Sequence, residues 1–269
     1  GSEITIDAFV RNEHIRDCRF ASMRLKDAIT DRMLSKNLPR PKTGGSKDGC
    51  VLFLYWVEDM VRVYIDTSGQ SIAKHGYRTE PYKAPLQESL AASLLQSTTW
   101  NKQSNVVNPM CGSGTIAIEA ALMATNKAPG LLWQNFGFMD VQGYSASLWQ
   151  DYCKSARSVV RPRIAGRIIA TDHSQEALDA AQQNARQAGV EALIEFRKCD
   201  FKETPVPRGG GIVILNPEYG ERLGDHIRLK EVYPAIGDFF KQKCAGYWAY
   251  VFTGNLELGK IVGLKTNQK

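Results

Sequence analysis

The stretch Asn105-Val106-Val107-Asn108-Pro109-Met110-Cys111-Gly112-Ser113-Gly114-Thr115 carries the strongest indication of the fold. A short apolar run passes into a glycine-rich turn and then into an apolar segment, 115–124, that predicts a helix. Glycines allow the backbone to approach a ligand closely, and the start of a helix offers free N–H groups to an anion. A tight turn that binds nothing fits the Gly-x-Gly pattern equally well. The pattern is neither Gly-x-Gly-x-x-Gly nor Gly-x-x-x-x-Gly-Lys-Ser/Thr, which disfavours dinucleotide enzymes and nucleoside triphosphatases.

Strands and helices alternate through the rest of the chain after about residue 76. Apolar runs predict strands at 167–171, 193–196, 211–215 and 246–252, and helical spacing predicts helices at 85–96, 174–188 and 229–242. Ser174 is expected to cap its helix and Gly189 to end it. Short continuous apolar strands between amphipathic helices predict an α/β sheet that is covered on both faces. Such sheets bind ligands beyond the carboxyl ends of their strands.

The first 75 residues have a different pattern. A helix is predicted over 22–34 with Ser22 as its cap, followed by a Pro/Gly/Lys loop at 38–45 and two strands, 51–55 and 61–65. One helix and a hairpin make a thin core, so we expect residues 1–75 to be part of a larger α+β module and 76–269 to form a separate domain. Gly1-Ser2 without an initiator Met suggests that the native start lies upstream.

Composition places the chain among ordinary globular proteins. It has 269 residues, 34 Lys plus Arg and 28 Asp plus Glu, a formal net charge of +6, and 43% hydrophobic residues. Disordered, collagen-like and disulfide-scaffold proteins are disfavoured by these values. The sequence has no apolar run of about 18 residues and no basic-then-apolar start, so we expect no membrane span, no secretory signal and a cytoplasmic location. Its six Cys form no Cys-x-x-Cys pair, which predicts reduced thiols and no metal site.

Two further strands are predicted to end in an acidic residue. Asp172 follows one of them, where a carboxylate can accept hydrogen bonds from both hydroxyls of a ribose. An Asp that merely stabilises the start of the next helix is the alternative. Cys199-Asp200-Phe201 follows another strand, where a carboxylate can accept from an adenine amino group while the ring flanks the base. A loop Asp beside a core Phe is equally consistent with that sequence.

A fourth strand end carries the sequence Asn216-Pro217-Glu218-Tyr219. Proline fixes φ and has no N–H, so carbonyls point outward there as acceptors. The Asn216 side-chain oxygen and the Pro217 carbonyl can together accept both hydrogens of an exocyclic amine, and Tyr219 can stack on a base. A Pro/Gly loop with an Asx-turn at Asn216 is the alternative.

Residues 107–121 together with 216–224 resemble the THUMP-associated RNA guanine-N2 methyltransferases, and among them most closely the bacterial 23S ribosomal RNA enzymes. Residues 66–69, 75–78 and 84–92 resemble the junction between THUMP and catalytic domains in that family, and 26–29 resembles a THUMP helix. Three departures stand out. The chain is expected to begin inside the THUMP domain and to stop near Gly263-Leu264-Lys265, before the last strand that the family implies. Asn108 occupies a position where Asp is usual, and Glu218 replaces the second Pro of Asn-Pro-Pro-Tyr.

The resemblance implies a Rossmann-like methyltransferase domain that uses S-adenosylmethionine and acts on RNA, preceded by a partial THUMP-like segment. The implied cofactor-binding residues are Asn108, Met110, Cys111, Gly112, Ser113, Gly114, Thr115, Asp172, His173, Asp200 and Phe201. The implied catalytic residues are Asn216, Pro217 and Tyr219. No metal is implied.

Several functional alternatives remain open at this point. They are a tRNA guanine-N2 methyltransferase, an amino-methyltransferase on DNA adenine or protein glutamine, and a non-catalytic RNA-binding remnant. Glu218 is also a candidate proton acceptor. Two groups of basic residues could contact phosphates, although solvated surface is the default for each: Lys36, Arg40, Lys42 and Lys47, and Arg157, Arg161, Arg163 and Arg167.

Overall fold

The computed structural model describes residues 3–44, 49–80, 85–218 and 225–266. The chain divides into two compact units: Gly1–Ile72 with Trp133–Lys154, and Ala73–Leu132 with Ser155–Lys269. The sequence predicted a single division of the chain, between residues 75 and 76. It did not predict that Trp133–Lys154 belongs to the first unit. That boundary and the THUMP-like nature of the first residues stay predictions.

The first unit contains a four-stranded sheet and a long helix. Its elements are β1 (Glu3–Arg11), α1 (Cys18–Ser35), β2 (Lys42–Thr43), β3 (Cys50–Val57) and β4 (Met60–Asp66). The strand order is β2-β1-β3-β4, with β1 parallel to β2 and β3, and β4 antiparallel to β3. The predicted hairpin is therefore confirmed, while β1 was not predicted, because its parallel partner lies about 40 residues away along the chain.

The helix α1 begins four residues before the predicted cap. Asp17 is its N-cap, and the Asp17 carboxylate accepts from the backbone N–H of Arg19 at 2.8 Å. Ser22 lies inside the helix, where its hydroxyl donates to the Cys18 carbonyl at 3.1 Å. The prediction of Ser22 as the cap was wrong because the Asp17 carboxylate upstream already caps the helix by accepting from the N–H of Arg19.

The second unit contains a five-stranded sheet. Its strands are β5 (Asn105–Pro109), β6 (Ile168–Asp172), β7 (Ile194–Lys198), β8 (Gly211–Leu215) and β9 (Tyr247–Val251), in the order β7-β6-β5-β8-β9 and all parallel. The remaining α-helices among the described residues are α2 (Glu88–Gln96), α3 (Thr115–Ala124), α4 (Ala146–Ser158), α5 (Gln175–Ala188), α6 (Asp225–Lys243) and α7 (Leu256–Ile261). Among the described residues, no helix is both long and apolar enough to cross a membrane.

Helices cover both faces of this sheet. Because side chains alternate along a strand, Val106 and Ile212 enter one core with α2, α3 and α5, whereas Val107 and Val213 enter a second core with α6. This parallel sheet, buried on both faces, confirms the Rossmann-like α/β prediction for the domain.

The strand order reverses between β5 and β8. From β5 the chain continues to β6 and β7 on one side, and then returns to β8 and β9 on the other. A crevice outside the carboxyl ends of the strands forms at such a point and is the usual ligand site of open α/β sheets. The residues that follow β5 and β8 are therefore neighbours in the fold.

Candidate active site

The glycine loop after β5 is anchored to the sheet and to α5. The N–H of Cys111 donates to the Thr171 carbonyl at 2.9 Å, and the N–H of Gly114 donates to the Cys111 carbonyl at 2.9 Å. Gly114 has φ 79°, and a Cβ added there would lie 2.8 Å from the Cβ of Ala181. Gly112 also has positive φ, but a Cβ added there would have no heavy atom within 4 Å. The loop is thus tightly packed at Gly114 and open at Gly112, as a loop that receives a ligand must be.

Asp172, at the end of β6, contacts this loop. Its Oδ2 accepts from the backbone N–H of Gly112 at 3.0 Å, and its Oδ1 accepts from that of Ser174 at 3.0 Å. The carboxyl group is buried, whereas the neighbouring His173 is exposed, with Nδ1 3.4 Å from Asp172 Oδ1. A carboxylate has about four acceptor positions, so Asp172 can accept further hydrogen bonds from a ligand.

Asn108 lies on β5 at the reversal point and is 1% exposed. Its Nδ2 donates to the carbonyl of Ile214 on β8 at 2.9 Å. Its Oδ1 is buried and accepts no hydrogen bond from any described residue. A buried acceptor without a donor costs about 1–3 kcal/mol, so this oxygen is available to a ligand's N–H group.

Asn216 and Pro217 follow β8 directly. Val107 pairs with Val213, so Met110 and Asn216, each three residues further along, leave the sheet at the same level. The Oδ1 of Asn216 is buried and also lacks a donor among the described residues. Two unsatisfied amide oxygens, those of Asn108 and Asn216, therefore occupy the carboxyl ends of adjacent strands.

Glu218, the residue after Pro217, is held by side chains of α6. Arg228 donates to the carboxylate of Glu218, and the hydroxyl of Tyr233 donates to the Glu218 carbonyl at 3.2 Å. That hydroxyl also lies 2.8 Å from Oγ1 of Thr253. Tyr219, predicted to stack on a base, lies outside the described residues, as do residues 220–224.

Asp200 and Phe201, at the end of β7, have different environments. The exposed Asp200 carboxylate accepts from the N–H of Lys202 at 2.9 Å. Phe201 is 8% exposed, and its ring packs edge-on against Phe239 with 6.2 Å between centroids. Phe201 is therefore part of the core on its Phe239 side, and the adenine roles of Asp200 and Phe201 stay predictions.

Two polar residues of the predicted loop are buried after Gly112, and side chains that sequence reasoning missed hold both of them. Ser113 and Thr115 are buried. The Nδ2 of Asn184 donates to the Ser113 carbonyl at 3.3 Å, and Nη2 of Arg78 donates to Oγ1 of Thr115 at 3.0 Å. Asn184 was detectable in the sequence as a polar residue within the apolar stripe of α5, where Ala181 and Ala185 are its neighbours.

The side chain of Cys111 is partly buried against the core. Burial, with a smaller contribution from the charge of Asp172, raises the pKa of this thiol far above its ordinary range. A thiol with such a pKa stays protonated, and only the thiolate is a good nucleophile. Cys111 therefore acts in the loop as a small apolar side chain.

A buried polar cluster, also missed, supports the N-terminal part of this unit. The same oxygen of Glu119 on α3 lies 2.7 Å from Nδ1 of His75 and accepts from the hydroxyl of Tyr77 at 2.8 Å. Burial alone would lower the pKa of His75, but the hydrogen bond and charge of Glu119, with the charge of Glu88, leave that pKa raised. Glu119 was detectable as a charged residue inside an otherwise apolar helix.

Comparison with known proteins gives concordant matches. The family described as RMKL-like, methyltransferase domain, matches residues 75–269. Ribosomal RNA large subunit methyltransferase K/L of Syntrophotalea carbinolica is 36% identical over 278 residues, which cover 98% of this chain and 39% of that protein. The chain thus spans about two fifths of the length of that curated relative.

Solved structures match as well. SMU.472, described as a putative methyltransferase complexed with SAH, superposes with a TM-score of 0.84 at 25% identity, covering 100% of this chain and 71% of that one. A predicted N6-adenine-specific DNA methylase from Listeria monocytogenes gives a TM-score of 0.83 at 28% identity, covering 99% and 70%.

Proposed function

Because the chain belongs to the family of RMKL-like methyltransferase domains, we propose that it transfers a methyl group from S-adenosylmethionine to the N2 amine of guanine in large-subunit ribosomal RNA. Membership confirms the family resemblance found in residues 107–121 and 216–224. The observation that carries the proposal is the buried Oδ1 of Asn216, which has no donor among the described residues and follows the strand adjacent to the glycine loop.

The residues around the glycine loop fit the methyl donor. Gly112 has open space beside it, and Oδ1 of Asn108 finds no donor in the part of the chain that the structure describes. In this proposal the loop from Asn108 to Thr115 holds the methionine part, Asp172 binds the ribose hydroxyls and Asp200 faces the adenine amino group. When bound, the cofactor supplies an electrophilic methyl group on a positively charged sulfur.

Asn216 and Pro217 supply the acceptors for the target amine. The amino group of guanine is a poor nucleophile because its lone pair is delocalised into the ring. Two oxygens that accept both of its hydrogens fix the direction of the nitrogen and satisfy the orphan acceptor of Asn216. Orientation of this kind is a large contribution to a direct displacement. The base must first leave its helix, at a cost of about a few kcal/mol, and Tyr219 is proposed to stack on it.

Replacement of Asn216 by Ala tests this assignment. We expect kcat for methyl transfer to ribosomal RNA to fall by about two orders of magnitude or more, with little change in the calorimetric affinity for S-adenosylmethionine. Asn101→Ala is the matched control, because Asn101 is exposed and its oxygen only caps a turn at Gln103 and Ser104. Full activity in Asn216→Ala would remove Asn216 from the reaction.

DNA adenine is the second candidate substrate. The description of the Listeria monocytogenes structure as a predicted N6-adenine-specific DNA methylase favours it, and the same pair of acceptors suits the adenine amine. Purified chain is therefore offered ribosomal RNA, tRNA, DNA and protein with labelled S-adenosylmethionine, and the products are identified by nucleoside mass spectrometry. N2-methylguanosine from ribosomal RNA supports the proposal, and N6-methyladenine from DNA contradicts it. If the purified chain has no measurable affinity for S-adenosylmethionine, the chain is the non-catalytic RNA-binding remnant.

A further inference from the structure

A second candidate site lies in the same unit as the sheet, at the end of α5. It is an open groove with a volume of about 740 Å³. Its apolar lining residues include Leu131, Val160 and Leu193, and its cationic lining residues are Lys127, Arg157, Arg161 and Arg186. None of these residues belongs to the methyl-transfer site described above.

Hydrogen bonds between distant segments build the walls of this groove. The N–H of Arg161 donates to the Thr125 carbonyl at 2.8 Å, which fixes the 157–161 segment against the end of α3. The amine of Lys127 donates to the Ala188 carbonyl at 2.6 Å, which fixes the end of α3 against the end of α5. The arrangement is therefore part of the folded core of the unit.

The groove carries an excess of positive charge. Glu191 is its acidic residue and is already paired with Arg186 at 2.9 Å. The amine of Lys127 already donates a hydrogen bond to the Ala188 carbonyl. The exposed guanidinium groups of Arg157 and Arg161 have no side-chain partner among the described residues. Two such cations in a groove that apolar side chains also line suit a polyanion that presents flat apolar surface as well.

The groove lies at the opposite edge of the sheet from the glycine loop. Gly189 ends α5 just before β7 begins, so the groove is at the amino ends of the strands. Strands of five residues are about 16 Å long, at roughly 3.3 Å per residue. A ligand in the groove therefore belongs to a different part of the substrate from the nucleotide at Asn216.

We propose that this groove binds phosphates and bases of the substrate RNA at a distance from the target nucleotide, with Arg157 and Arg161 as the phosphate contacts. The inference rests on the proposed RNA substrate. It adds that recognition requires a second RNA segment, which a short oligonucleotide containing only the target does not provide.

The salt dependence of RNA binding tests this inference. The chain and its Arg157→Gln/Arg161→Gln variant are titrated with a long ribosomal RNA fragment and with a short hairpin that contains only the target region. Each lost phosphate contact reduces the slope of log K against log salt by about 0.7–0.9. On the long fragment we expect the slope of the variant to fall by about 1.4–1.8, and on the hairpin we expect no change.

The matched control removes two exposed cations elsewhere in the unit. Arg208→Gln/Lys243→Gln loses the same charge, and neither residue lines the groove. An unchanged slope for the groove variant on the long fragment would overturn the inference, as would equal losses in the groove and control variants or equal losses on both RNAs. If the groove variant keeps its affinity for RNA but no longer binds a poly-glutamate peptide that the unmodified chain binds, the ligand of the groove is an acidic protein. That result would also overturn the inference. Failure of the proposed function can be told apart from failure of this inference. In the first case, RNA treated with the unmodified chain and S-adenosylmethionine contains no N2-methylguanosine.

Discussion

The side-chain amide of Asn108 donates to the backbone carbonyl of Ile214 at 2.9 Å. This bond joins β5 and β8, the two strands between which the strand order reverses. It couples the glycine loop to the segment that carries Asn216. An amide is required for this bond, because a carboxylate at the same position has no N–H to donate.

Asn108→Asp is expected to destabilise the ligand-free chain. The substitution places a carboxylate against the Ile214 carbonyl in a buried site, at a cost of about 1–3 kcal/mol. Added S-adenosylmethionine should stabilise the variant more than it stabilises the unmodified chain, since the carboxylate can then accept from the ammonium group of the cofactor. Urea denaturation with and without cofactor measures both effects, and equal ligand-free stability of the two proteins would contradict the role of the Asn108–Ile214 bond.

Asp172→Ala is expected to weaken S-adenosylmethionine binding by about tenfold to hundredfold, because the proposed ribose contacts are lost together with the anchor of Gly112. Isothermal titration calorimetry measures this affinity. Asp238→Ala is the control, because Asp238 is exposed on α6 and Lys241 is its one ion-pair partner among the described residues. An unaltered affinity in Asp172→Ala would refute the ribose assignment.

Gly114→Ala is expected to lower the free energy of unfolding by about 2–5 kcal/mol. The alanine would have to adopt the left-handed φ of 79°, and its Cβ would lie 2.8 Å from the Cβ of Ala181. Gly246→Ala is a matched control, since its φ is 81° but a Cβ there has nothing within 4 Å. Its cost should be about 1–2 kcal/mol from the backbone alone. Chemical denaturation compares the two variants, and equal losses would mean that the contact of the glycine loop with α5 is not tight.

Stability is expected to fall as the pH rises above about 6.5, the ordinary pKa of His. The pKa of His75 is raised in the folded chain by Glu119 and Glu88, which outweigh the effect of burial. Between the unfolded and the folded pKa the native state holds more protons than the unfolded state, so the free energy of unfolding decreases with pH. The stabilisation by protonated His75 is complete below this window and absent above it.

Urea denaturation at a series of pH values from about 6 to 9 measures this slope around the ordinary His pKa. His75→Gln should flatten the decrease, and Glu119→Gln should reduce it, because the buried carboxylate is the main partner of the imidazole. His14→Gln is the control, since His14 is exposed in the first unit. A slope unchanged by His75→Gln would show that another group is responsible.

Local sequence features determined most of the second unit. Apolar runs located β5 to β9 to within one or two residues, and Ser174 and Gly189 bound α5 as expected from their capping chemistry. The glycine loop and the Asn216-Pro217 segment were also recognisable, because turn residues after an apolar strand act through their own backbone. These signals depend only on residues that are close in sequence, so the elements they indicate can be predicted before the fold is known.

Contacts between distant parts of the chain were decided by the tertiary structure. The parallel pairing of β1 with β3, the grouping of Trp133–Lys154 with the first unit, and the hydrogen bond from Arg78 to Thr115 leave little trace in local sequence. Likewise, only the folded chain shows that Phe201 is a core residue and that Glu218 is paired with Arg228. The physical reason is that hydrogen bonds and packing across such separations depend on loop closure and strand order, whereas periodicity and propensity report only which face of an element is buried.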